Sequence, residues 1–529
     1  MSPRTPSSEN IAMDFLFVQA TNASTKKSTG AATATGGKTI LTEADCPEVL
    51  GYAFPTWKKW KILIIIFLVQ CSMNFNTSLY SNGLHGMGEE FGISAQTGRT
   101  GAAIFLITYA FGCELWAPWS EEFGRRWILQ ASLLLVNLCC IPVALAPNYT
   151  VVVVFRALGG LFSAGGSITL GIVADMYTAD TQQYAVAFVV LSSVGGSIFG
   201  PIIGGFVESY MHWRWCMWLQ LIAGVSVQIL HGFLVNETRT TVLITDHAKK
   251  LRKEGQEVYG SNDIKTWKEA FQPKELVALW LRPFKMFFTE PIVLVLSLLS
   301  GFSDALIFMG FQSFGLVYAL WNFKAWQVGL TFVAIGLGYL IAYLSYIPAI
   351  RRNIQQRQKR PDDEFANFEG RMWWLMYTAP CLPVGLLIFA WGSTTSVHWI
   401  VPVIGTAIVG IANYSVYMGT IDYMVAAYGE YSASATGGNG FARDFLAGVL
   451  TWAAIPYYEA FNGITDKPLQ WANTTLAFVS LLLVASTAVI YMKGPALRKR
   501  STFSQKLAES TPNEIMVPAP GGNLEPVAV

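Results

Sequence analysis

The chain has 529 residues, 53% of them hydrophobic and only 13% charged, with a mean hydropathy of +0.40 and a formal net charge of +2. Soluble domains carry about 25% charged residues, so this composition excludes an ordinary soluble enzyme domain, and so small a net charge points to no nucleic-acid partner. The seven cysteines show no paired spacing and read as small hydrophobes, while the five histidines are scattered singly, so neither a disulfide framework nor a metal site is expected.

Residues 1–58 are rich in Ser, Thr, Ala and Gly and read as a disordered cytoplasmic tail. Apolar runs long enough to cross the bilayer then recur near 62–82, 100–120, 127–146, 151–176, 184–209 and 213–235, forming an N-terminal six-helix bundle over 59–235. The polar segment 236–290, with its Lys249, Lys250, Arg252 and Lys253, reads as a cytoplasmic linker. Six more runs, near 291–320, 328–350, 372–391, 399–424, 432–460 and 471–492, form a second bundle over 291–492, followed by a cytoplasmic tail at 493–529. The fold class is therefore an all-α membrane protein, two six-helix bundles around a central cavity. Lys58, Lys59, Lys61, Arg125, Arg126, the linker, Arg351 to Arg360 and Lys493 to Arg500 crowd one side, which places both termini in the cytoplasm.

Several residues within or beside these spans carry chemistry. Glu114 in the second span and Asp304 deep in the seventh are intramembrane carboxylates. Low dielectric disfavours the ionised form, so such a group can bind and release a proton near neutral pH, or it can be structural, bonded to Ser300 or an arginine. Glu121, Glu122, Gly124, Arg125 and Arg126 form a charged loop after the second span, either a latch between the halves or a plain positive-inside anchor. Arg156 in the fourth span either faces the cavity and finds a carboxylate or carbonyl, or snorkels to the interface. In the fifth span Ser192, Gly196, Gly200 and Gly204 recur every four residues as a flat groove for another helix, and Pro201 bends the helix there. Asp175, Asp422 and Glu430 sit at span ends and read as interfacial pairs rather than the alternative, cavity groups, and Arg443 either pairs with Asp444 or meets an anionic ligand. Phe105, Tyr109, Phe308, Phe311, Gln312, Phe314, Tyr414 and Tyr417 are the expected cavity wall, suited to amphipathic molecules.

The stretch Gly195, Gly196, Gly200, Pro201, Gly204 and Gly205 resembles the GxxxxGPxxGG antiporter motif of the major facilitator superfamily, within it the twelve-span drug:proton antiporters of fungi. Ala117 to Arg126, Arg156 to Gly160, Glu237-Thr238-Arg239 and Glu369-Gly370-Arg371 resemble further motifs of that family, over roughly residues 50–495. The resemblance implies a proton-coupled efflux transporter, not an enzyme, that exports small organic molecules such as drugs, toxins or metabolites. It implies the proton gradient as energy source with no cofactor, and a monomer in the plasma membrane among lipids. Proton coupling would fall to Asp304, Glu114 and Arg156, although relatives carry an acidic residue near Gln312 and this chain departs there. The competing expectation on the same architecture is a proton symporter that imports a nutrient.

Overall fold

The computed structural model describes residues 39–177, 181–260, 263, 273–360, 363–428 and 431–501. Among them are twelve long helices, which we label α1 (Thr56–Leu79), α2 (Ala95–Phe123), α3 (Arg125–Ala144), α4 (Tyr149–Met176), α5 (Gln182–Tyr210), α6 (Arg214–Leu234), α7 (Pro291–Tyr318), α8 (Ala325–Lys359), α9 (Glu369–Gly392), α10 (Ile400–Tyr428), α11 (Ser432–Glu459) and α12 (Pro468–Arg498). Their starts are written in the chain. Ser94 and Asn148 each accept a backbone N–H three residues on, at 3.1 Å, and prolines open α7 and α12. α4 breaks at Ser163–Ala164, and Ser132 of α3 repairs the break, donating to the Phe162 carbonyl at 2.6 Å and accepting from Ala164 N–H at 3.0 Å.

Eleven of the twelve are long and apolar enough to cross a membrane. α11 falls short because it carries Asn439, Arg443 and Asp444, yet these are only 1%, 4% and 3% exposed. Its polarity faces protein, so it too runs through the bundle.

The halves repeat each other. Within the first, α1 packs on α5 and α6, α2 on α4, and α3 on α4 and α6; within the second, α7 packs on α11 and α12, α8 on α10, and α9 on α10 and α12. Between them α5 lies on α8 and α2 on α11, again related by adding six to each number. Such a parallel repeat places the pseudo-twofold axis along the bundle.

One expectation needs correction. Residues 39–55 do not form a structureless tail: β1 (Thr39–Ile40) pairs in parallel with β2 (Val258–Tyr259), and Cys46 and Leu50 bury themselves against Ile244. Their sparse apolar residues find partners in the segment between the halves, which the linear sequence does not reveal. That segment is itself helical over Thr240–Lys253, with Ile244 and Ala248 turned inward and the basic residues outward, and again over Pro273–Thr289. The remaining parts of the two tails, 1–38 and 502–529, lie outside the described residues, as does Glu430.

The groove on α5 receives α1. A Cβ added at Gly196 would stand 2.8 Å from Cys71 Cα, one at Gly200 2.7 Å from Leu79 N, and one at Gly204 2.8 Å from Asn82 Cβ. The neighbouring Gly205 faces the other half, its added Cβ 2.7 Å from the Ala325 carbonyl of α8. Gly195 meets nothing within 4 Å. Gly200→Leu should therefore destabilise the protein by ~1–3 kcal/mol through overpacking, and Gly195→Ala should be neutral or stabilising by about 0.5–1 kcal/mol. Thermal unfolding of the two purified variants checks this, and an unchanged midpoint for Gly200→Leu refutes the packing.

Candidate functional site

A cavity of about 440 Å³ lies between the halves. α2, α4 and the start of α5 wall it on one side, α10 and α11 on the other. Its mouth, on the side of the central segment, carries Glu121, Arg125, Asp175 and Arg239; deeper in lie Cys113, Glu114, Tyr417, Arg443 and Asp444. A second space of about 290 Å³ adjoins it, sharing Gln182, Val186, Ile421 and Val425. The opposite side is closed by bonds between the halves. Gln312 donates to Ser81 Oγ at 2.7 Å and accepts from Arg99 Nε at 3.3 Å, Gln96 donates to the Trp452 carbonyl at 2.8 Å, and Trp326 N–H donates to Ser209 Oγ at 3.2 Å.

The deep end is a cluster of buried charges. Arg443 Nε donates to Asp444 Oδ1 at 3.1 Å, lies 3.7 Å from Asp304 Oδ2, and stacks its guanidinium 4.4 Å from the centre of the Tyr417 ring. Arg443 thus pairs with its neighbour and with α7 together. Asp304 is not among the cavity-lining residues, contrary to expectation; α7 is turned so that the carboxylate stands behind Arg443. Glu114 does line the cavity. It is 6% exposed, and among the described residues its carboxylate has no ion pair or hydrogen bond. Room for it comes from Gly437 of α11, where an added Cβ would stand 2.6 Å from Glu114 Oε2. That pairing of a carboxylate on α2 with a missing side chain on α11 joins residues more than three hundred positions apart, and no local signal announces it.

Arg156 sits elsewhere. It donates to the Gly101 carbonyl at 3.2 Å and to Asn76 O and Oδ1 at 3.1 and 3.0 Å, between the rings of Tyr80 and Phe105 at 4.5 and 4.1 Å. Carbonyls and ring faces replace a carboxylate, so Arg156 ties α4 to α1 and α2 and does not reach the cavity. Most of the expected aromatic wall is also packing. Phe105 stacks with Tyr109 at 6.3 Å and Phe314 with Phe332 at 4.6 Å, Phe308 meets Phe311 edge-on at 5.1 Å, and Tyr414 donates to the Ala187 carbonyl at 2.9 Å. Bulky rings fill the helix seams, where most membrane-buried aromatics go. Of the expected wall, Tyr417 and Arg443 line the cavity, and Gln312 belongs to the far closure.

The mouth cluster joins the first half to the start of the central segment. Arg125 reaches Asp175 at 3.0 Å, Glu121 at 3.6 Å and Ser120 Oγ at 2.7 Å, and Arg239 reaches Asp175 at 3.5 Å. Glu237 accepts the backbone N–H groups of Arg125 and Arg126 at 2.9 and 3.2 Å, and Arg126 donates to the Gly232 carbonyl at 2.7 Å. Gly124 has φ +98°, and a Cβ there would come 2.5 Å from Glu237 Oε2, so only glycine fits. These bonds tie the α2–α3 turn to α4 and the exit of α6. The Arg125–Asp175 pair repeats as Arg371–Asp422 at 3.0 Å. There Asp422 also accepts Gln183 of the first half at 2.7 and 2.8 Å, and Tyr346 at 3.3 Å. Gln183 is a cross-half contact that sequence reasoning missed. No group of three or more His, Cys, Asp or Glu side chains among the described residues is placed so that it could hold a metal ion.

The family description Major Facilitator Superfamily matches residues 66–451. The chain is similar to the MFS-type transporter oryN of Aspergillus oryzae, at 30% identity over 81% of this chain and 83% of that protein. It is similar to the MFS-type transporter phm3 of Pyrenochaetopsis sp, at 32% identity over 75% and 81%. It is also similar to the Ascochitine biosynthesis cluster MFS transporter of Didymella fabae, at 25% identity over 86% and 87%. Among solved structures, the proton:xylose symporter XylE shares the fold at a TM-score of 0.58 and 13% identity, covering 82% of this chain and 95% of that one. The human organic anion transporter MFSD10 does so at 0.53 and 17%, covering 82% and 99%.

Arg125→Ala strands Asp175, which is 7% exposed, beside the more distant Arg239. Loss of one partner of a buried pair should cost ~3 kcal/mol, and a double-mutant cycle with Asp175→Ala should return a coupling of about 0.5–3 kcal/mol. Thermal unfolding of the four proteins measures it; additive losses would deny the pairing.

Proposed function

The chain belongs to the major facilitator superfamily, an integral membrane transporter by that membership, and from this premise we propose that it is a proton-coupled exporter of small organic molecules of the secondary-metabolite kind. The observation that carries the coupling is Glu114: a buried carboxylate without a partner among the described residues, lining the cavity between the halves. Beside it Arg443 is already matched by Asp444 and Asp304, so this group of four holds three carboxylates for one cation. An uncompensated carboxylate in low dielectric is poised to take a proton, and a proton on Glu114 leaves that end of the cavity less charged. Proton and substrate then compete for one cavity, which is antiport by linkage. Asp304 acts through Arg443, setting how firmly that cation is held, and Arg156 acts only by holding α1, α2 and α4 together.

The secondary-metabolite assignment rests on similarity to proteins such as the Ascochitine biosynthesis cluster transporter. The antiporter-like stretch on α5 supports export over import. In this reading the protein works as a monomer in the plasma membrane, both termini cytoplasmic, needing no cofactor beyond the proton gradient, and it does no covalent chemistry.

Purified protein in proteoliposomes, given an imposed proton gradient, should move a candidate metabolite against the proton flow. Glu114→Gln should lower that gradient-driven flux by about tenfold or more while leaving gradient-independent exchange. Asp304→Asn should keep flux but alter its pH dependence. Movement in the same direction as protons would instead mark a symporter, and full gradient-driven flux by Glu114→Gln would send the proton carrier elsewhere.

A further inference from the structure

The helix Pro273–Thr289, just before α7, packs on α11 and α2 from outside the twelve-helix bundle. Most of its described side chains fall into three sectors, with Leu279, 37% exposed, an exception beside Met286. Met286 and Phe287 are buried, at 0% and 7% exposure, and a Cβ added at Gly438 of α11 would sit 3.0 Å from the Pro283 carbonyl. At ~100° per residue, Val277, Leu281, Phe284 and Phe288 form a second stripe, and Arg282, Lys285 and Thr289 a third beside it. The second stripe is apolar and largely bare: Val277 is 45%, Leu281 57% and Phe288 71% exposed, with Phe284 half-buried between the last two. A bare apolar stripe bordered by basic residues matches a helix lying along a membrane surface, its apolar side among acyl chains and its cations toward headgroups. It also continues the exposed apolar surface of the adjoining spans, where Phe111 and Leu115 of α2 are 41% and 36% exposed.

The same helix closes the seam between the halves. Phe284 stacks on Phe111 of α2 at 6.0 Å and meets Phe441 of α11 edge-on at 4.8 Å, while Phe111 and Phe441 touch at 5.2 Å. Glu114 follows Phe111 by one helical turn, and Gly440 precedes Phe441; both line the cavity. Three rings thus stand between the cavity and the outer surface of the bundle, and one of the three is carried by neither half.

We propose that Pro273–Thr289 is seated in the bilayer surface and that its Phe284 is a plug in the seam between α2 and α11, through which a membrane-dissolved substrate reaches the cavity. This rests on the cavity being a substrate cavity but not on the direction of transport or on proton coupling. An aromatic ring wedged between two halves is held by dispersion and area burial alone, so it can leave and return without stranding a charge.

Two measurements on the full chain in phosphatidylcholine vesicles test it. Leu281→Cys, carrying an environment-sensitive fluorophore in an otherwise cysteine-free chain, should be quenched about twofold or more by acyl-brominated lipid; no quenching overturns the membrane seat. Cys113 lines the cavity and serves as the second reporter once the other six cysteines are replaced. Phe284→Ala, or Phe441→Ala should the first fold poorly, should raise its alkylation by a lipid-dissolved pyrenyl maleimide about tenfold, and leave its rate with a sulfonated, water-soluble maleimide within about twofold. Phe284→Trp should remain slow with both. An unchanged rate with the lipid-dissolved reagent, or equal acceleration of both reagents, overturns the plug.

Discussion

The guanidinium of Arg443 is the constraint around which the centre of this protein is arranged. It is 4% exposed, midway along a helix that crosses the bundle, where an unmatched cation is costly. Asp444 on the same helix and Asp304 on α7 hold it, and the Tyr417 ring covers it from α10. Three helices of the second half are thereby fixed to one another at the floor of the cavity. α11 must then be polar inward, which is why it falls below the apolarity of the other eleven spans while still running through the bundle. The two carboxylates that hold Arg443 are spent on it, and this singles out Glu114 across the cavity as a carboxylate free to do something else.

What could be read from the sequence follows from how local each signal is. Span positions are a property of contiguous apolar runs, and all twelve were legible. The glycine groove on α5 was legible too, because Gly196, Gly200 and Gly204 share one face by spacing alone; that α1 would fill it was not. Helix phase was the weak point. α7 is buried on nearly every side, so nothing in its own residues tells whether Asp304 points to a cavity or to Arg443. Glu114 has its room because Gly437 lacks a side chain, and Gln183 meets Asp422 across 239 positions. Such facts belong to pairs of helices and are invisible in either alone. The aromatic wall failed for the related reason that rings which fill seams and rings which line a cavity look identical in sequence.

The repeat of the two halves is closest where charge is concerned and broken where the halves meet. Arg125–Asp175 and Arg371–Asp422 have the same 3.0 Å separation at equivalent helix ends. Yet Asp175 takes its second cation from Arg239, at the start of the central segment, whereas Asp422 accepts the amide of Gln183 from the other half. One mouth cluster is closed upon itself and the other is shared. The loop after α2 has two readings, latch or anchor, and the bonds of Arg125 and Arg126 run to α4 and to the exit of α6.

This division of bonds bears on how the cavity could change sides. Ion pairs within each half, such as Arg125–Asp175 and Arg443–Asp444, are buried, and separating one would leave a stranded charge at a cost of about 3–5 kcal/mol. Contacts between the halves on the closed side include neutral hydrogen bonds, Gln312 to Ser81, Gln96 to the Trp452 carbonyl and Trp326 N–H to Ser209, each worth only ~0.5–1.5 kcal/mol net. The Gln183–Asp422 bond can likewise open without stranding a charge, because Arg371 stays with Asp422. A motion that keeps each half intact and exchanges these neutral contacts is far cheaper than one that deforms a half. The buried ion pairs keep each bundle rigid, and the amides and hydroxyls, with Arg99 the one cation among the closing bonds named, let them part.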